Sequence, residues 1–195
     1  MTFSAEEAIQ HVVVAFQQRR LPEGATIFRS YSSEVDTETM ERLARDTAWI
    51  DLPHDVLCDN PLALALMTPE AFAWFLPAYL VMSITLYSET DTLTTTIITC
   101  LTPPDDDDAA QFAALAQDMR ALGIDDVDDS WEGSAEEDAG MLQLFMERTA
   151  ALTDVEKAAV RDYLEYIDAA HGADFPVFGP KQALDRYWRT AAPPR

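Results

Sequence analysis

TPEAFAWFLPAYLVMSITLYS, residues 68–88, decides the fold. From Ala71 to Ser88 it runs eighteen residues without a charge. Thr68-Pro69-Glu70 gives it a helix start: a hydroxyl to cap, a proline at the first helical position, and an acid at the positive end of the helix dipole. A helix this apolar on every face is either a membrane span or the centre of a globular core. Pro77 lies inside it, Glu70 and Glu89 flank it, and no Lys or Arg occurs between Arg45 and Arg120. Spanning helices carry basic cytoplasmic flanks, so the stretch reads as a buried central helix and not as a span. Pro77 is expected to kink it, or to start a second helix reaching about Tyr87.

Upstream, Ser4 with Glu7 forms a capping box before Ala8, Ile9, Val12, Val13 and Phe16 at helical spacing. The N-terminus has acids, no base and no long apolar run, so it is not a signal peptide. Residues 24–31 read as a loop or short extended piece, and 36–46 as a helix with Met40, Leu43 and Ala44 on one side. Trp49 and Leu52 are expected to anchor a connector to the core, and a short helix runs from Pro53 to Cys58 before Asn60-Pro61 interrupts it. Residues 92–101, TLTTTIITCL, are β-branched enough for a strand. Yet no partner strand is evident and a lone strand cannot satisfy its backbone. The reading leans to a helix, with a short β element at 92–101 left open.

Downstream, Asp105–Asp108 open a helix with Phe112, Leu115, Ala116, Met119 and Leu122 on one face, closed by Gly123. An acidic loop follows around Trp131. Ser134 with Glu137 caps a helix carrying Met141, Leu142, Leu144 and Phe145. Thr153 with Glu156 caps another, carrying Val155, Val160, Tyr163, Leu164 and Ile167 and ending at Gly172. A rigid loop, DFPVFGP, precedes a last helix from Pro180 with Leu184, Tyr187 and Trp188. The expectation is an all-α fold of six to eight helices, residues 1–195 as a single domain, with no repeat and no convincing linker.

The stretch Leu66–Leu80, together with Trp49-Ile50-Asp51-Leu52, Leu101-Thr102-Pro103-Pro104 and 152–166, resembles the signature of an uncharacterised bacterial domain family. In that family a leucine-threonine-proline-glutamate-alanine-phenylalanine helix start, with Met67 here in the leucine's place, runs into an aromatic pair and leucine-proline-alanine-tyrosine. These are capping and packing motifs; they imply a shared fold and carry no chemistry. Similar small acidic bacterial proteins often belong to toxin-immunity loci, so the resemblance adds that expectation.

Chemistry is sparse. His11, His54 and His171 are the only histidines, and no HExxH or CxxC occurs. Neither a glycine-rich phosphate loop nor GxSxG is found. Cys58 and Cys100 cannot make a disulfide framework and fit a reducing cytosol. His54 and Cys58, four apart, look superficially like a pair, but Asp51, Asp55 and Asp59 would raise the thiol pKa. Asp126, Asp128, Ser130, Ser134 and Glu137 fall at calcium-loop positions 1, 3, 5, 9 and 12, but Trp131 stands where that loop needs glycine. The sequence therefore calls for no cofactor, metal or catalytic residue.

Charge is the remaining signal. The 195 residues carry 35 acids and 13 bases, a net charge of −22, which argues against direct binding to nucleic acid or anionic membrane. Residues 105–138 alone hold thirteen acids and one base, Arg120, while 181–195 have a net charge of +3. That basic tail either packs beside the acidic region or bridges to a second copy. The acidic window is either a solvated face or a surface for a basic protein partner. Trp131 among the acids is either an interface anchor or a ring folded onto the core. The leading expectation is a cytoplasmic, non-enzymatic protein of the immunity or antitoxin kind. It would cover a basic effector through Asp125, Asp126, Asp128, Asp129, Trp131, Glu132, Glu136 and Glu137. The alternatives are a DNA mimic, an enzyme using carboxylates, and a calcium-responsive module; oligomeric state stays open.

Overall fold

The computed structural model describes residues 3–30, 34–89, 91–105, 107–123, 135–175 and 178–191; for Asp91, Phe112 and 135–138 it describes the backbone alone. The described residues are helices and connectors, with no strand among them.

Helix α1 (Ala5–Phe16) begins at the expected capping box: the Glu7 N–H donates to Ser4 Oγ at 3.2 Å, and the Ser4 N–H donates to Glu7 Oε2 at 2.8 Å. It buries Ala8, Val12 and Phe16, one per turn along a single stripe. Residues 27–29 run extended past the entry to the central helix. The Arg29 N–H donates to Leu66 O and the Thr68 N–H to Ile27 O, around the antiparallel bridge of Phe28 with Met67. Helix α2 (Thr37–Asp46) is capped by Asp36 and buries Met40 and Ala44. A 3-10 turn (Trp49–Asp51) buries Trp49, whose Nε1 donates to Phe16 O at 3.0 Å. After α3 (His54–Asp59), Asn60 ties three elements together. Its Nδ2 donates to Val56 O, its Oδ1 accepts the Asp36 N–H, and its carbonyl accepts the Tyr79 hydroxyl. A one-turn helix, α4 (Ala63–Leu66), leads to the central helix.

That helix, α5 (Pro69–Thr85), is continuous through Pro77 and buries thirteen of its residues. No second helix starts at Pro77; the chain turns off only at a 3-10 turn (Tyr87–Glu89). An interior proline costs about 3 kcal/mol. Full burial of one large apolar side chain is worth about 1.5–3 kcal/mol, so Phe72, Phe75, Leu76 and Leu80 together outweigh the cost. The segment at 92–101 is helical, as α6 (Asp91–Cys100). Leu93, Ile97, Ile98 and Leu101 form a buried stripe. The threonine hydroxyls donate back one turn without breaking the helix: Thr96 to Thr92 O at 2.9 Å and Thr99 to Thr95 O at 3.0 Å.

Helices α7 (Asp108–Ala121) and α8 (Ala135–Ala150) follow. The long α9 (Asp154–His171) opens at the Thr153–Glu156 capping box. Last come α10 (Pro180–Ala183), a π-helical turn (Leu184–Trp188) and α11 (Arg189–Ala191) in one unbroken run. Helix α9 packs along α1, α1 packs on α5, α8 crosses α5, and the C-terminal run closes over α9. The buried core extends from Ala8 to Trp188, whose Nε1 donates to Leu101 O at 2.6 Å. Among the described residues no helix is long and apolar enough to cross a membrane.

Four apolar expectations are corrected. Leu122 is 81% exposed, Met141 and Leu142 are exposed, and Val155, inside the Thr153–Glu156 capping box, is exposed. Helical spacing marks a face, but it does not say whether another element covers it.

Candidate interaction surface

Of the residues expected to meet a partner, Asp125, Asp126, Asp128, Asp129, Trp131 and Glu132 lie outside the described residues. Glu136 and Glu137 lie in the first turn of α8, where the backbone alone is described. The calcium-loop register at 126–137 falls in the same region. The described neighbours of this stretch are α7 before it and α8 after it, and α7 forms one wall of an acidic cleft.

Helix α7 is fastened at its start. Asp105 accepts the Asp107 N–H at 3.1 Å, and Asp108 accepts the Asp105 N–H at 2.9 Å. Arg186 then grips Asp108 with both terminal nitrogens, at 2.9 and 2.5 Å, and donates to Pro103 O at 2.9 Å. This forked geometry is the strong form of a carboxylate–guanidinium pair. One turn along, Gln182 Nε2 donates to Gln111 Oε1 at 3.2 Å. These bonds join α7 to the C-terminal run and answer one question left by the sequence: Arg186, in the basic tail, packs beside the acidic helix start within the chain.

Beyond these bonds the two walls part and leave a cleft of about 630 Å³. Ala114, Leu115 and Asp118 of α7 line it, together with Asp168 near the end of α9, Phe175, and residues 178–182. The loop that closes α9 is shaped by two constraints. A Cβ on Gly179 would lie 2.8 Å from Phe175 Cβ, so the position requires glycine, and Phe178 holds a left-handed φ of 55°, rare for an aromatic residue.

The cleft is negative. Asp105, Asp107, Asp118, Asp168 and Asp185 border it, and its two bases are engaged: Arg186 with Asp108, Lys181 with Asp185 at 3.3 Å. Elsewhere three more arginines are drawn inward. Arg19 binds Glu156 and Ala151 O. Arg161 lies buried beside Asp162. Arg148 is buried over the Phe72 ring and donates to Leu64 O, Ala65 O and Met67 O at 2.7–3.2 Å. Glu156 and Asp162 go inward with Arg19 and Arg161, so only Arg148 is withdrawn from the surface without an acid beside it.

The titratable groups do not assemble into a nucleophilic site among the described residues. Cys58 donates to Met82 Sδ at 3.6 Å. Burial, and then Asp59, Glu89 and Asp55, push its thiol up. Burial, the larger cause, was not visible in the sequence. Burial also raises the Cys100 thiol, although Arg148 beside it pulls the other way. His11 Nδ1 lies 2.8 Å from Asp162 Oδ2, joining α1 to α9, and His171 stacks on Tyr87 at 3.5 Å. Among the described residues no three His, Cys, Asp or Glu side chains come together as a metal site requires.

A family model described as a family of unknown function (DUF6714) matches residues 4–125, which span α1 to α7. No curated protein and no solved structure matches the chain.

Proposed function

The chain belongs to this family of unknown function, and with no activity to take from it we propose a function from the chain's own surface. The protein is a non-enzymatic binding protein of the immunity or antitoxin kind, acting in the cytosol and covering a basic effector protein. The supporting observation is the distribution of charge. Residues 105–138 have a net charge of −12, and the described part of that window forms a negative cleft whose bases are already paired. A one-signed surface steers an oppositely charged partner and matches it at the interface. Blocking an effector by occlusion needs no catalytic group, so a surface is sufficient for this role. The acidic sign also repels phosphate backbones, which favours a protein over a nucleic acid as the partner.

The test replaces Asp125, Asp126, Asp128 and Asp129 with Asn in the full chain and compares the proteins that wild type and variant retain. A basic protein held by the wild type and lost by the variant is the expected result. An identical set of retained proteins would overturn the reading.

A further inference from the structure

Tyr87, His171 and Asp174 meet where two long helices end. Tyr87 opens the 3-10 turn after α5, His171 is the last residue of α9, and Asp174 closes the 3-10 turn that follows it. The Tyr87 hydroxyl donates to Asp174 Oδ2 at 2.9 Å, and His171 Nδ1 lies 3.8 Å from the same oxygen. The Tyr87 and His171 rings stack at 3.5 Å and 14°, and Tyr166 meets His171 edge-on at 6.2 Å. These ring contacts position the phenol and the imidazole, while Asp174 is 61% exposed and leaves the group open to solvent.

We infer that Tyr87, Asp174 and His171 form a binding site for iron(III). An imidazole beside oxygen donors selects a transition metal over magnesium or calcium. A phenol oxygen is a ligand that iron takes in proteins, and two anionic oxygens suit its higher charge state. Donors about 2 Å from one ion lie roughly 3 Å apart. The 2.9 Å pair already has that spacing, and a tilt of the stacked rings that brings His171 Nδ1 nearer by about 1 Å completes the set. On binding, the phenol releases its proton to water and its oxygen bonds to the ion; water fills the open positions. The local field has the sign for a cation. Both α5 and α9 end here with their carbonyl termini, the negative ends of the helix dipoles. No Lys or Arg occurs between Arg45 and Arg120 or between Arg161 and Lys181, the stretches that supply the three donors. The site is independent of the binding function proposed above and uses none of its residues.

The test titrates the full chain at neutral pH with iron(III) nitrilotriacetate and follows the visible spectrum. The expected result is one equivalent of iron and a tyrosinate-to-iron charge-transfer band, which carboxylates alone do not give. Tyr87→Phe keeps the ring stack and removes only the hydroxyl, so it should abolish the band without changing the melting temperature. Asp174→Asn and His171→Gln should each weaken iron binding about tenfold or more, the scale on which even the outer partners of a metal matter. Tyr187→Phe, which alters a phenol packed on Phe145 instead, should leave the band unchanged. Asn at 125, 126, 128 and 129 should leave it unchanged too. Absence of a band, or an equal band in Tyr87→Phe, would overturn the inference. Loss of the iron with Asn at 125, 126, 128 and 129 would place it on the acidic stretch and also overturn it.

Discussion

Arg148 holds together the carbonyl ends of α4 and the approach to α5 through one terminal nitrogen, under the face of Phe72. Removing a buried charged donor leaves its acceptors unpaired and typically costs about 3 kcal/mol. Arg148→Ala should lose about that much in urea unfolding. Arg148→Lys should restore less than half, because an ammonium on a shorter reach cannot stack on the ring and fork to three carbonyls. A second residue-scale prediction concerns alkali. Cys58, Cys100, Tyr79 and Tyr163 hold their protons more tightly folded than unfolded, chiefly through burial. The unfolded chain releases these protons first, the thiols near pH 9.0 and the phenols near pH 10.0. Their contribution to stability is therefore full below about pH 9 and is lost as pH rises. Tyr163→Phe should flatten the fall above pH 10, while costing about 1 kcal/mol at neutral pH for the lost bond to Ser83 Oγ. Urea midpoints measured from pH 7 to 11 check both halves. At this scale the sequence was legible where partners are local: Ser4–Glu7 and Thr153–Glu156 are capping boxes within one turn. Arg148 was not, since its acceptors lie more than 80 residues away.

Helix α7 shows how far an element can be read from its own pattern. Its spacing predicts an apolar face over Phe112, Leu115, Ala116, Met119 and Leu122, yet of the described side chains only Ala116 is fully buried. The helix forms as expected, but its docking depends on Arg186 and Gln182, which come from the far end of the chain. Arg186→Gln should raise deuterium uptake across 108–121 severalfold while α5 and α9 stay protected. Uptake unchanged in α7 would show that other contacts hold it. Helix α6 was ambiguous for the opposite reason: Thr and Ile favour strands in general, and only the stripe Leu93, Ile97, Ile98 and Leu101 favours a helix. Pro77 left two outcomes open, and it does not divide the helix because the cost of an interior proline is local and the burial that offsets it is tertiary.

At the scale of the whole molecule two forces set stability, the shared core and the self-repulsion of a chain with net charge −22. The family match ends at residue 125, but the core does not: Val160, Tyr163, Leu164, Ile167 and Trp188 pack with the residues of α1 and α5. A chain ending at 125 should therefore lose cooperative thermal unfolding by circular dichroism. Salt should stabilise the full chain. The Debye length falls from about 30 Å at 0.01 M to about 3 Å at 1 M, so the melting temperature should rise by several degrees over that range. The central helix, the caps and the charge imbalance were readable in sequence. The cleft was not, because Asp118, Asp168 and Arg186 come to line it only in the folded chain.

The most direct test of a basic protein partner is capture with the tagged full chain from the cells that make it. The captured material is washed at low and then high salt and identified by mass spectrometry. The prediction is one near-stoichiometric basic protein that survives moderate salt. A scatter of nucleic-acid-binding proteins that all leave as salt rises, or no retained protein at all, would contradict it.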